Sequence, residues 1–217
     1  MPKVSEKYID DKKTEIIEAA YRVCTRKPIT SVVMNDVISE TGFSHGAIYR
    51  YYSDLDEVLR DLVIKINSEH SLDSRLDAIL NEAGTDGWKD TVRNVFRLLS
   101  DHMIECGTDV MKISIYGDML AMSEPERVGK IAGNLEKNAQ SPLLHLVQKL
   151  EAYMKRTVTE KSLKSIKTVE ELIQFIVTGY SGIQTGYVLS GSTENRYRPE
   201  DMFSVLAESV ILLMEGK

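Results

Sequence analysis

The stretch from Asp36 to Leu59, DVISETGFSHGAIYRYYSDLDEVL, constrains this chain most. It reads as two short helices joined by a glycine-marked tight turn, followed by the start of a third helix. Val37, Ile38 and Thr41 close one short amphipathic helix, and Gly42 stands where a left-handed cap is needed that glycine adopts at little cost. Ser44 then offers a hydroxyl to cap the next helix. Ile48 and Tyr52, four residues apart, turn inward and leave His45, Ala47, Tyr49, Arg50 and Tyr51 facing outward or sideways. A short helix that presents His, Tyr and Arg outward suits the major groove of DNA, which is the grammar of a helix-turn-helix reader. Ser44, His45, Ala47, Tyr49, Arg50 and Tyr51 are the candidate DNA-binding residues.

The run TGFSHGAIYRYYSDLDEVL resembles the signature of the tetracycline-repressor (TetR) family, in which a Gly-hydrophobic-Ser turn precedes a Gly-x-hydrophobic-Tyr-x-Tyr/His-Phe recognition helix. The likeness is specific over residues 9–64 and weak beyond them. It implies an all-α protein: an N-terminal three-helix helix-turn-helix domain, placed at residues 1–53, and a C-terminal helical ligand-binding and dimerisation domain at 54–217. The departures from the family pattern also count. The family usually opens the first helix of the motif with Thr, a cap and a frequent phosphate contact, where this chain has Val33. Valine has no oxygen to cap with, so the cap is expected from Ser31 or Thr30. Ala47 and Leu55 stand where the family commonly has Thr and Lys, so two or three backbone contacts are lost, and Arg50 and His45 are the residues able to replace some of that charge.

Charge is uneven along the chain. Residues 1–53 hold 8 Lys+Arg against 7 Asp+Glu, and the remaining 164 residues hold 19 against 26, within a total of −6. The acidic body cannot drive DNA binding. Attraction to phosphate has to come from local groups, namely Lys12 and Lys13, Arg22, Arg26 and Lys27, and Arg50. The chain's 217 residues and 42% hydrophobic content suit a globular two-domain regulator. No apolar run approaches the roughly 18–20 residues that span a bilayer, and the N-terminus has no signal-peptide core, so a cytoplasmic location without membrane contact is expected. Cys24 and Cys106 lack CxxC or Cys/His ligand spacing and read as small core hydrophobes, with no metal site and no cofactor.

Helical periodicity runs almost throughout, with no credible strand. Helices are predicted at about 9–26, over the motif, from Asp54 through the stripe Leu55, Val58, Leu59, Leu62 and Ile66, at about 88–106, and at about 109–122 after a break at Gly107. A long helix at about 125–157, kinked or split at Pro142, follows, then a polar linker near 159–168 and two final helices at about 168–190 and 199–215. Asn81 to Gly87 and Gly191 to Asn195 read as loops.

The final pair carries a second signal. Gly179, Gly182 and Gly186 share one narrow helix face, and each costs about 0.8–1 kcal/mol of helix propensity relative to alanine. Close approach of another helix can offset that loss. Phe203, Leu206 and Val210 on the last helix offer a broad apolar partner face, which predicts a two-fold homodimer built as a four-helix bundle with these six residues at its interface. The family's usual interface is this same helix pair. Two reading heads related by a dyad, about 34–36 Å apart, imply a palindromic double-stranded DNA operator.

The resemblance further implies a small-molecule pocket in the middle helices. Trp88, Phe96, Met103, Met111, Tyr116, Met119 and Met122 are the candidate lining, an adaptable Met and aromatic set that is also what a plain core looks like. Asn134, Asn138, Ser141 and His145 form a neutral polar stripe that faces either a wet cavity or solvent. An enzyme is disfavoured: no His/Asp/Glu set has metal spacing, Ser123 and Ser190 lack a nucleophile elbow, and no phosphate loop follows a strand. The expected function is sequence-specific DNA-binding regulation, with repression relieved by a small apolar or amphipathic ligand as the family default. The alternatives are a helical ligand- or protein-binding module that has lost its operator, and an all-α enzyme.

Overall fold

A computed structural model describes residues 6–81, 87–133, 142–191 and 197–216. Among these the chain is helical without a strand: α1 (Glu6–Arg26), α2 (Met34–Thr41), α3 (His45–Ile48), α4 (Leu55–Glu69), α5 (Asp73–Asn81), α6 (Trp88–Ser123), α7 (Pro125–Gly133), α8 (Pro142–Glu160), α9 (Val169–Ser190) and α10 (Pro199–Glu215). None of the described helices is long and apolar enough to cross a membrane.

Local chemistry accounts for most boundaries. Glu6 and Arg26 sit at the ends of α1 where the helix dipole favours them, and Pro28 stops the helix. The start of α4 is held by Asp54, whose carboxylate accepts the Glu57 N–H at 2.9 Å, while Glu57 reaches back to the Ser53 N–H at 2.7 Å. Thr168 caps α9 in the same reciprocal way with Glu171. Gly107, with φ 72° and ψ 171°, breaks α6 where the glycine in the sequence marks it. The expected long helix at 125–157 is instead two helices, with Pro142 as the first residue of the second, where its missing N–H costs nothing. Helix α5 is an element the sequence reading did not anticipate, because its nine residues contribute one buried side chain, Leu76, too little for a visible period.

The chain forms two compact units, residues 1–69 with 112–140, and residues 70–111 with 141–217. In the first, Ile16, Ala19, Ala20 and Cys24 of α1 face Val37 and Ile38 of α2, Ile48 of α3, and Val58, Leu59 and Leu62 of α4 in one core. Leu55 and Ile66, the ends of the predicted α4 stripe, are only partly covered. Arg127 of α7 donates to Asp56 of α4 at 2.7 Å within the same unit. In the second, Leu76 of α5, Phe96, Leu99 and Met103 of α6, Leu150 and Met154 of α8, Leu172 of α9, and Phe203 and Met214 of α10 are the largest fully buried side chains. Removing any one of them leaves a cavity that costs about 2–5 kcal/mol. Both cysteines are buried, and burial pushes each thiol up to about 11, so they behave as inert core residues.

Candidate nucleic-acid interface

The reading head is assembled from local devices. Gly42 ends α2 with φ 69°, and its N–H donates to the Ile38 carbonyl at 3.1 Å. No atom lies within 4 Å of a Cβ built there, so backbone conformation rather than space requires the glycine. The Thr41 hydroxyl accepts the Phe43 N–H at 3.1 Å and tightens the turn. Ser44 is the N-cap of α3, its Oγ accepting the Ala47 N–H at 3.3 Å.

One α3 turn then separates two faces. Ile48 is fully buried and Tyr52 nearly so, the phenol donating to the Asp61 carboxylate of α4 at 3.0 Å. Burial together with that carboxylate holds the Tyr52 hydroxyl far above its usual pKa, so it remains a donor. On the other face Ser44, His45, Tyr49 and Arg50 are exposed and Ala47 is half-buried, whereas Tyr51 packs half-buried against the core. Of the six residues singled out in the sequence, four are thus exposed, and Ala47 and Tyr51 are partly covered.

The cap of α2 differs from expectation. Neither Ser31 nor Thr30 supplies it: residues Ile29–Ser31 form a short 3₁₀ turn, and the Val33 N–H donates instead to the Asp36 carboxylate at 2.8 Å. Asp36 also accepts from Lys27 Nζ at 2.7 Å. An acid at the third helical position can thus serve the cap alone when the residue at the start has no oxygen. The Lys27 ammonium and then the Val33 N–H hold the Asp36 carboxyl below the usual carboxylate range.

Several cations assigned to phosphate attraction are engaged elsewhere. Arg22 donates through Nε to Glu40 at 2.7 Å and Arg26 donates to the other Glu40 oxygen, which lowers the Glu40 pKa and ties the end of α1 to α2. Lys12 pairs with Glu15 at 2.7 Å and lies 4.8 Å from the Phe43 ring centre. Lys13 lies over the Tyr52 ring, and Arg50 makes no ion pair among the described residues.

The remaining candidates scatter. Trp88, Phe96, Met103 and Met111 are buried in the second unit. Tyr116, Met119 and Met122 belong to the first, where Met119 is 42% and Met122 78% exposed. Of the polar stripe, Asn134, Asn138 and Ser141 lie outside the described residues, and His145 is exposed with Nδ1 3.4 Å from Asp73. No group of His, Cys, Asp and Glu among the described residues is arranged to hold a metal ion.

At the final helix pair, Phe203, Leu206 and Val210 are 1%, 7% and 0% exposed within the single chain. A Cβ at Gly179 would meet Leu206 at 2.7 Å, and one at Gly186 would meet Tyr197 at 2.6 Å. Those glycines accommodate the chain's own packing. Gly182 has open space around it. It lies in an exposed row Phe175, Thr178, Gly182, Thr185 and Leu189 on α9, and Met202, Val205 and Leu212 of α10 are exposed as well. The alternate three- and four-residue steps of the α9 row are legible in the sequence, but which rows the chain covers with its own body is not. The Thr178 and Thr185 hydroxyls donate to carbonyls of their own helix at 2.8 and 2.9 Å, so this face makes few polar demands.

Residues 16–62 match the model of the bacterial regulatory proteins of the tetR family. An uncharacterized HTH-type transcriptional regulator of Bacillus subtilis (strain 168), YfiR, is 40% identical over 62 residues, which cover 29% of this chain and 30% of that protein. The chain thus aligns with about a third of this curated relative's length. Solved structures extend the likeness of fold. A putative TetR-family transcriptional regulator from Rhodococcus sp. has a TM-score of 0.63 at 14% identity over 94% of this chain and 99% of its own. A TetR transcription regulator from Haloarcula marismortui has a TM-score of 0.61 at 14% identity over 95% and 98%. The regulator FadR from Bacillus subtilis, in complex with stearoyl-CoA, has a TM-score of 0.60 at 15% identity over 94% and 98%.

Proposed function

Because this chain belongs to the tetR family of bacterial regulatory proteins through its N-terminal helices, we propose that it binds a palindromic DNA operator as a homodimer and is released by a small apolar or amphipathic ligand. In this reading residues 1–53 are the reader, residues 54–217 sense the ligand and dimerise, and the protein works in the cytoplasm. The observation that carries it is the two-faced α3 turn: Ile48 and Tyr52 anchor it to the core while His45, Tyr49 and Arg50 stand free at the surface. Arg50 is suited to a bidentate contact with guanine O6 and N7, and the others to base edges or phosphates. The partner copy seats on the exposed row of Gly182 and Leu189 with Val205 and Leu212, two helices from each chain forming the bundle. The stearoyl-CoA bound to the similarly folded FadR favours an effector with a long apolar part.

Selection from a random-sequence duplex pool at modest salt tests the reading. A recovered inverted repeat whose half-site centres lie about 10–10.5 base pairs apart, or a multiple of that, is the expected result. Recovery of no enriched sequence from repeated selections would leave a helical module without an operator.

A further inference from the structure

We propose that the Ser100 hydroxyl is the polar anchor of a buried effector site in the second unit, and that the part of the effector held there is a neutral aliphatic chain bearing one hydrogen-bonding oxygen. This rests on the regulator reading for its consequence, but not for its chemistry. Ser100 is 2% exposed, and among the described residues its Oγ has no hydrogen-bond partner. Other helical hydroxyls in this chain behave differently. Thr157, also buried, donates to the Tyr153 carbonyl four residues back at 2.9 Å, and Thr178, Ser181, Thr185 and Ser209 make the same bond in α9 and α10. The Phe96 carbonyl is the equivalent acceptor for Ser100, and Ser100 does not take it.

A buried hydroxyl left unpaired is costly, and native proteins retain only a few such groups. The other buried polar side chains of this unit are engaged: Thr91 and Thr157 donate to carbonyls, and the Gln184 amide donates to the Met111 carbonyl at 3.3 Å. Ser100 alone among them has a side-chain oxygen with no hydrogen-bond partner among the described residues. Around it on its own helix stand Phe96, Leu99 and Met103, apolar and fully buried, and methionine repacks readily around a guest. No Asp, Glu, Lys, Arg or His is among the buried residues described, so a charged group drawn to this depth would lack a counter-charge. An alcohol, ketone or ester oxygen would take the hydroxyl's hydrogen bond without that penalty.

The test uses the full chain with decan-1-ol, decanoate and decylammonium as probes, read by fluorescence of its single tryptophan, Trp88, and by thermal shift. Decan-1-ol should bind at least tenfold more tightly than either ion. Ser100→Ala and Ser100→Cys should each weaken decan-1-ol binding about five- to tenfold, while probe-free Ser100→Ala melts no lower than the wild type and about 2 °C higher if the full penalty is relieved. Equal binding of the three probes, no binding of decan-1-ol, or unchanged affinity in the variants overturns the proposal. So does a lowered melting temperature for Ser100→Ala, which would mean the hydroxyl has a structural partner, or loss in Ser100→Ala with retention in Ser100→Cys, which would mean volume matters rather than the hydrogen bond. Random-pool DNA selection on the same preparations judges the regulator reading separately, since its failure leaves the probe results intact.

Discussion

Arg50 stands on the outward side of the turn that closes α3, exposed and outside any ion pair among the described residues. Arg50→Ala should weaken operator binding by about 1–3 kcal/mol and relax the preference at one position per half-site, if the guanidinium forks onto a base. Equal loss on all sequences, measured by titration against operator and scrambled duplexes, would make it a phosphate contact. Asp36 carries a different weight, since one carboxylate serves both the α2 cap and Lys27. Asp36→Ala should destabilise the reader by about 0.5–2 kcal/mol, the usual cost of a lost cap. Because the folded-state pKa values of Asp36 and Glu40 are lowered by their partners, the stability they contribute is complete above the unfolded carboxylate range near about pH 4 and is lost as pH falls through the folded values. Melting curves between about pH 6 and pH 3 should therefore fall less steeply for Asp36→Asn than for the wild type. Parallel curves would remove Asp36 from the acid response.

At the scale of elements, α9 and α10 separate two uses of glycine that look identical in the sequence. Gly179 lies against Leu206 of its own chain, so Gly179→Leu should destabilise the protomer itself by a few kcal/mol through overpacking. Gly182 has open space, so Gly182→Leu should leave the protomer folded and break only the contact between copies. Sedimentation at micromolar concentration, paired with thermal melts of both variants, reads the difference. If Gly182→Leu remains dimeric, the interface lies on another surface. The glycine spacing was legible in the sequence, as were Gly42, the Ser44 cap and the Gly107 break, because each is a demand made by neighbours within a helical turn or two. The covered row of α10 was not legible: Phe203, Leu206 and Val210 are apolar at helical spacing, and so are the exposed Met202 and Val205, one residue before Phe203 and Leu206.

For the whole molecule, the balance of charge sets how DNA is approached. The chain carries a net charge of −6, and much of the basic set in its first 53 residues is paired with Glu15, Asp36 and Glu40. Lys7, Lys13 and Arg50 remain outside ion pairs among the described residues of that stretch. Two reading heads should then release counterions from a handful of phosphates, giving a log–log salt slope of about −3 to −6. A slope near zero would speak against DNA binding. One as steep as about −10 would mean that the Arg22, Arg26 and Lys27 pairs open onto phosphate, and anisotropy titrations across salt concentrations distinguish the cases.

The sequence by itself determined the helical class, most helix boundaries, the glycine turn and the outward set His45, Tyr49 and Arg50, since periodicity, capping and backbone freedom act over a few residues. Tertiary structure alone decided which side chains meet across larger separations. It gave Glu40 to Arg22 and Arg26, 18 and 14 residues away, and left the buried Ser100 hydroxyl without a partner among the described residues. It buried Phe203 while exposing Val205 two residues on, and divided the Met and aromatic candidates of α6 between two units, Met111 going to one and Tyr116 to the other. Apolar and charged side chains carry no mark of their partner; burial and pairing are set by which surfaces the folded chain brings together.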